Sequence, residues 1–164
     1  MEHPGKTRAV RGFTLMELMV VIAVIAILAT IALPNLQGRL VRGQVVEAMK
    51  LADIAKGPVA ARWSSTKTLP PDNASVGLPS ADKIVSNYVS SLSVEGGAIQ
   101  VTFGNNVNGA IKGKTLSLRP AVVEDAPVVP VAWVCGSAPV PDKMTAMGAN
   151  KTDLPPAFLP LNCR

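Results

Sequence analysis

The 164-residue chain has room for one compact domain and one extended element, and its 48% hydrophobic content is concentrated between residues 13 and 33. The formal charge of +5 falls to +3 once residues 1–12 are set aside, because they hold Lys6, Arg8 and Arg11 against Glu2. With no long basic run, and with His3 as the single histidine, DNA binding is weakly supported and histidine catalysis or metal ligation is close to excluded.

Residues 13–33 read FTLMELMVVIAVIAILATIAL. At 1.5 Å per residue such a helix spans about 30 Å, the thickness of a bilayer's hydrocarbon core. The run is too long for an ordinary secretory signal and no A-x-A cleavage site follows it. Ala23, Ala26, Ala29 and Ala32 recur every third residue. Either they form a shallow stripe for close helix approach, or they are there as good helix formers. Glu17 is the anomaly, since a carboxylate within a span costs about 2.5–3.5 kcal/mol on insertion scales. No basic side chain lies in the run, and the nearest, Arg11, sits beyond Gly12. Cleavage after Gly12 would create a cation on the Phe13 amine, four residues from Glu17, in the same chain or a neighbour.

Arg11-Gly12-Phe13-Thr14-Leu15-Met16-Glu17, followed by LMVVIAVIAILATIALP, resembles the class III signal of type IV prepilins. The resemblance implies a leader of residues 1–12 and cleavage between Gly12 and Phe13 by a prepilin peptidase at the cytoplasmic face. It also implies N-methylation of Phe13 and assembly through Glu17. Residues 13–34 would be the transmembrane and filament-core helix. Pro34 lacks the amide that would bond the Thr30 carbonyl, so a kink or local melting is expected there. In the family this stretch loses helical order in the filament.

Residues 35–65 turn amphipathic. Val45, Met49, Ala52, Val59 and Trp63 share one broad face, with Arg42, Glu47, Lys50, Asp53 and Lys56 elsewhere. Gly57-Pro58 predicts a bend or a break, and the apolar spacing running through it favours the bend. Residues 66–164 predict a globular head. It begins in a linker over 64–83 whose Leu69-Pro70-Pro71-Asp72-Asn73 is the clearest turn signal, an exposed surface loop by the resemblance. Asn73-Ala74-Ser75 and Asn150-Lys151-Thr152 fit the glycosylation triplet by coincidence, and a glycan on Ser75 rests on analogy alone.

Strands are expected at 88–95, leading through the Gly96-Gly97 hairpin signal into 98–104, then at 114–119 and 128–135, with Pro130 demoting the start of the last. The fold class is therefore α+β, a long N-terminal helix packed on a small antiparallel sheet. Cys135 and Cys163 make an isolated pair, read as a disulfide in an exported chain and closing a loop for roughly 3–4 kcal/mol. GLPSADKIVSNYVSSLSVEGGAIQVTF, GKTLSLRP and WVCG look like the head of major type IVa pilins, and the loop 135–163 resembles their C-terminal disulfide-bounded region, exposed and engaged in surface contacts.

No GxSxG, HExxH, Walker loop or GxGxxG is present, and Glu124-Asp125 fall in a Pro-flanked loop expected to be solvent exposed. No catalytic residue, cofactor site or metal site is expected, and the chain is read as a structural subunit rather than an enzyme. The resemblance implies an inner-membrane precursor that becomes an extracellular helical homo-oligomer serving adhesion and twitching motility. The partners so implied are the peptidase and N-methyltransferase, the inner-membrane assembly machinery, the membrane and a host or surface receptor. DNA uptake is the least supported of its uses. The alternatives sharing the N-terminal signal are a minor or competence pilin and a type II secretion pseudopilin.

Overall fold

The computed structural model describes residues 12–164, apart from the side chains of 33–35. The leader residues Lys6, Arg8, Arg11 and His3 lie outside the described residues. Two compact units are resolved, divided between Gln37 and Gly38. Helix α1, Leu15–Thr66, contributes to both.

The first unit is the apolar half of α1. Of the kink or local melting expected at Pro34, local melting is not found in the single subunit, because the helix continues through that position. A proline removes one rung of the ladder, and the turns on either side keep theirs. Side chains from Leu15 to Ile31 are exposed almost without exception, with Leu15 at 78% and Ile31 at 63%. This surface has no cover within its own unit.

The second unit is the head, which starts within α1. Val41, Val45, Ala48, Ala52, Ala55 and Val59 recur at three- and four-residue intervals and are buried. The expected face is confirmed, with Met49 partly buried beside it and Trp63 buried at its end. Arg42, Glu47, Lys50 and Asp53 are exposed, and half-buried Lys56 pairs with Asp53 at 2.7 Å. The helix also runs unbroken through Gly57-Pro58, which excludes a break there.

Four antiparallel strands follow in meander order: β1 Val89–Glu95, β2 Ala98–Phe103, β3 Thr115–Val122 and β4 Ala132–Cys135. In β1 a register shift between Val89 and Ser91 leaves Ser90 as an extra residue. The bulge changes the parity of the pleat, so Val89 joins Leu92 and Val94 in the core. Gly104 lies against it, and a Cβ there would sit 2.5 Å from that of Ser90. Gly96 and Gly97 make the two-residue turn, both at positive φ, as a primed hairpin turn requires.

Strand β3 extends past the predicted stop at Pro120 as far as Val122. The proline forfeits only its own N–H; it pairs with Trp133, and its carbonyl accepts the Met147 N–H at 2.8 Å. A short strand β5, Thr145–Ala146, pairs with the end of β3. It was not expected, since two residues carry no periodic signal. Strand β4 begins at Ala132, just past Pro130, as the demoted start of that segment predicted.

The sheet is covered on both faces. Ile99, Val101, Phe103, Leu116 and Leu118 meet the buried face of α1 in one core. On the opposite face Gln100 and Ser117 are cross-strand partners, and the chain beyond Cys135 folds over them. The head is thus helix, sheet and loop in three layers.

Candidate functional site

Two regions hold the expected functional residues. The first is the start of α1. Thr14 occupies its N-cap, and Thr14 with Glu17 forms a capping box. The Glu17 N–H donates to Thr14 Oγ1 at 3.2 Å, while Thr14 N–H and Oγ1–H donate to Glu17 Oε2 at 2.9 and 2.8 Å. Glu17 thus has hydrogen-bond donors in its own chain, which a reading confined to charged partners did not name. Those donors are neutral. They satisfy lone pairs and the helix terminus but supply no positive charge.

Phe13 precedes the cap and is 84% exposed. At Gly12 the backbone does not require glycine. Its φ is not left-handed, and a Cβ would meet nothing within 4 Å. Any demand for a small residue there would not come from the described part of the subunit. The T-x-x-E spacing of Thr14 and Glu17 was legible as a capping signature, and it locates the residue that the charge argument missed.

The second region is the C-terminal loop. Cys135 and Cys163 are joined by a disulfide, 28 residues apart in sequence, and Cys163 is fully buried. The loop is fastened far more widely than at its ends. Ser117 Oγ donates to Gln100 Oε1 at 2.5 Å and accepts the Lys151 N–H at 2.7 Å. Gln100 Nε2 donates to the Ala149 carbonyl, and Thr152 Oγ1 accepts the Ser117 N–H at 3.0 Å. Asp153 Oδ1 accepts the Thr115 N–H at 2.6 Å, and the Asp153 N–H returns a bond to the Thr115 carbonyl. Ser117 and Gln100 are buried, so this polar seam is satisfied away from water. Leu154 and Leu159 enter the core, and Arg42 Nε reaches the Ala157 carbonyl at 2.8 Å. Lys151 Nζ also donates to Glu95 Oε2, and this bond holds the Glu95 carboxyl below its ordinary value; burial opposes it, and the Lys151 charge and Ser93 hydroxyl reinforce it.

The linker is not wholly a surface loop. Asn73 is buried, and its side chain acts as a short edge strand on β1: Oδ1 accepts the Val94 N–H at 2.6 Å and Nδ2 donates to the Leu92 carbonyl at 3.0 Å. That geometry leaves no free amide for the first glycosylation triplet. Asn150 Nδ2 is likewise engaged, donating to the Gly136 carbonyl. Glu124 and Asp125 are exposed, as expected. Among the described residues no group of histidine, cysteine and acidic side chains is placed to hold a metal ion.

A family model for pilins, bacterial filament proteins, matches residues 41–164, and one for the prokaryotic N-terminal methylation motif matches residues 7–33. The chain is similar to a fimbrial protein of Neisseria meningitidis serogroup A, 39% identical over 164 residues and 94% of each chain. It is also similar to the type IV major pilin protein PilE of Neisseria gonorrhoeae, 40% identical over 161 residues, covering 94% of this chain and 93% of that one. Fimbrial protein EcpC of Eikenella corrodens is 38% identical over 130 residues, 77% of this chain and 82% of the relative.

Proposed function

The chain belongs to the pilin family, and from that premise we propose that its filament forms when Glu17 meets the amine of Phe13 on a neighbouring subunit, freed by cleavage after Gly12. The chain is a structural subunit of a type IV pilus, anchored in the membrane as a precursor and then displayed at the surface.

One observation carries the assembly reading. A carboxylate stands on an exposed apolar helix with only neutral donors of its own chain around it. In lipid its charge is desolvated with only these neutral hydrogen bonds to offset the cost. In a bundle of such helices a neighbour's ammonium would supply the missing charge at low dielectric and set axial register. Moving apolar surface from lipid into a bundle gains little by itself, so packing and this charge pair decide assembly. Gly12 would be read by the peptidase, since the fold has no use for its lack of a side chain. We further assign the chain a structural role without catalysis, as a major subunit in filaments used for attachment and for motility driven by an inner-membrane machine.

Glu17→Gln and Glu17→Ala separate charge from capping. Gln retains an acceptor for the Thr14 N–H and keeps the helix start, but it carries no charge. Both variants are expected to be cleaved normally and to form few fibres, as counted by electron microscopy and shearing. Abundant fibres from Glu17→Gln would show that capping suffices and would end the charge account. A bulky side chain at position 12, as in Gly12→Val, should leave uncleaved precursor in the membrane, and normal processing would contradict the cleavage assignment. The minor-pilin alternative is tested by abundance, because a major subunit makes up most of the sheared fibre mass.

A further inference from the structure

We propose that Asn108 is a self-modifying site, at which the folded head converts an asparagine to aspartate or isoaspartate through a cyclic imide with Gly109. Asn108 is the one asparagine followed by glycine. Asn108, Gly109 and Ala110 are all exposed, in the turn joining β2 to β3. Asn108 Oδ1 accepts the Ala110 N–H at 2.9 Å, which folds the side-chain amide back over the Gly109 peptide and polarises its carbonyl. Among the described residues the Gly109 N–H makes no hydrogen bond, and no heavy atom beyond its chain neighbours lies within 4 Å of where its Cβ would be. The attacking nitrogen is therefore held by no hydrogen bond, and the residue that carries it is exposed.

Other asparagines lack this combination. Asn73 uses both ends of its amide in burial, and Asn105 donates Nδ2 to the Ser86 and Val89 carbonyls. Asn106 donates to Asn87 Oδ1 and precedes the β-branched Val107.

The Gly109 nitrogen bonds to Asn108 Cγ, the Cγ–Nδ2 bond breaks, and the Gly109 amide proton leaves with Nδ2 as ammonia. Water then opens the imide at either carbonyl. Attack at Cγ leaves aspartate, and attack at the main-chain carbonyl leaves isoaspartate, with one more methylene in the backbone. Either product adds one negative charge. The Asn108 N–H donates to Gln44 Oε1 at 3.0 Å, and Val107 and Ile111 on either side are buried in the core. A lengthened backbone between them loosens this turn from α1, so the site marks subunits by age.

The test is incubation of the full chain in detergent micelles at mildly alkaline pH, followed by peptide mass mapping with isoaspartate methyltransferase labelling. The expected result is acid at position 108 ahead of any other asparagine, in both isomers, and conversion slowed roughly tenfold or more in Gly109→Ala. Three results would overturn the proposal: an intact amide at 108 in the folded chain while the urea-unfolded chain converts, earlier conversion at another asparagine, or Gly109→Ala reacting as fast as the parent.

Discussion

At the scale of single residues, the buried side chains of Asn73, Gln100 and Ser117 are each answered by a named partner, whereas Arg62 Nε, Trp63 Nε1 and Arg119 Nε are buried without one. Asn73 replaces a missing strand at the outer edge of β1 with two hydrogen bonds to Val94 and Leu92. Asn73→Ala strands a buried N–H and carbonyl, so urea unfolding should show a loss of about 2–4 kcal/mol. Glu95 is half exposed, and its bond to Lys151 contributes little at neutral pH. Its folded pKa is depressed, so that contribution is present above the unfolded value of about 4.3 and is lost as pH falls through the folded value. Glu95→Gln should therefore leave the melting temperature at pH 7 nearly unchanged and flatten its fall below about pH 4, followed by scanning calorimetry across pH.

At the scale of elements, glycines divide by what surrounds them. Gly97 has φ +84°, and a side chain there would press within 2.9 Å of Leu69, so Gly97→Ala should destabilise the head and weaken the hairpin. Gly57 is exposed on α1 but precedes Pro58, whose ring crowds a Cβ on the preceding helical residue, so Gly57→Ala should fall short of the gain of about 0.5–1 kcal/mol that an open helical glycine gives, read from the same denaturation curves. Periodicity made α1 and the four main strands legible in the sequence, because Val45, Ala52 and Val59, or Val101 and Phe103, repeat on the period of their element. The Ser90 bulge was hidden, since one inserted residue alters parity without altering composition. Pro120 gave a false stop because a proline loses only its own N–H, which the ladder of β3 does not require. The Gln100–Ser117–Lys151 seam was illegible for another reason: three common polar residues meet only after segments 17 and 34 residues apart are brought together.

At the scale of the whole molecule, the chain divides its labour between a surface that must be covered and a head already complete. The head covers both faces of its sheet and closes its terminus with the Cys135–Cys163 disulfide. Cys135→Ser with Cys163→Ser should cost about 2–5 kcal/mol and expose residues 149–153 to hydrogen exchange, with fibre yield falling through head instability rather than through assembly. The apolar half of α1 has no such internal answer, and in the proposed assembly a second subunit's amine would neutralise its single carboxylate. The N-terminal signal was the most legible part of the sequence because glycine, phenylalanine and glutamate stand at a fixed spacing ahead of an unbroken apolar run. Mass measurement and N-terminal sequencing of subunits sheared from the cell surface test the central claim most directly. A chain beginning at N-methylated Phe13 is the predicted result, and surface fibres built of chains that keep residues 1–12 would contradict it.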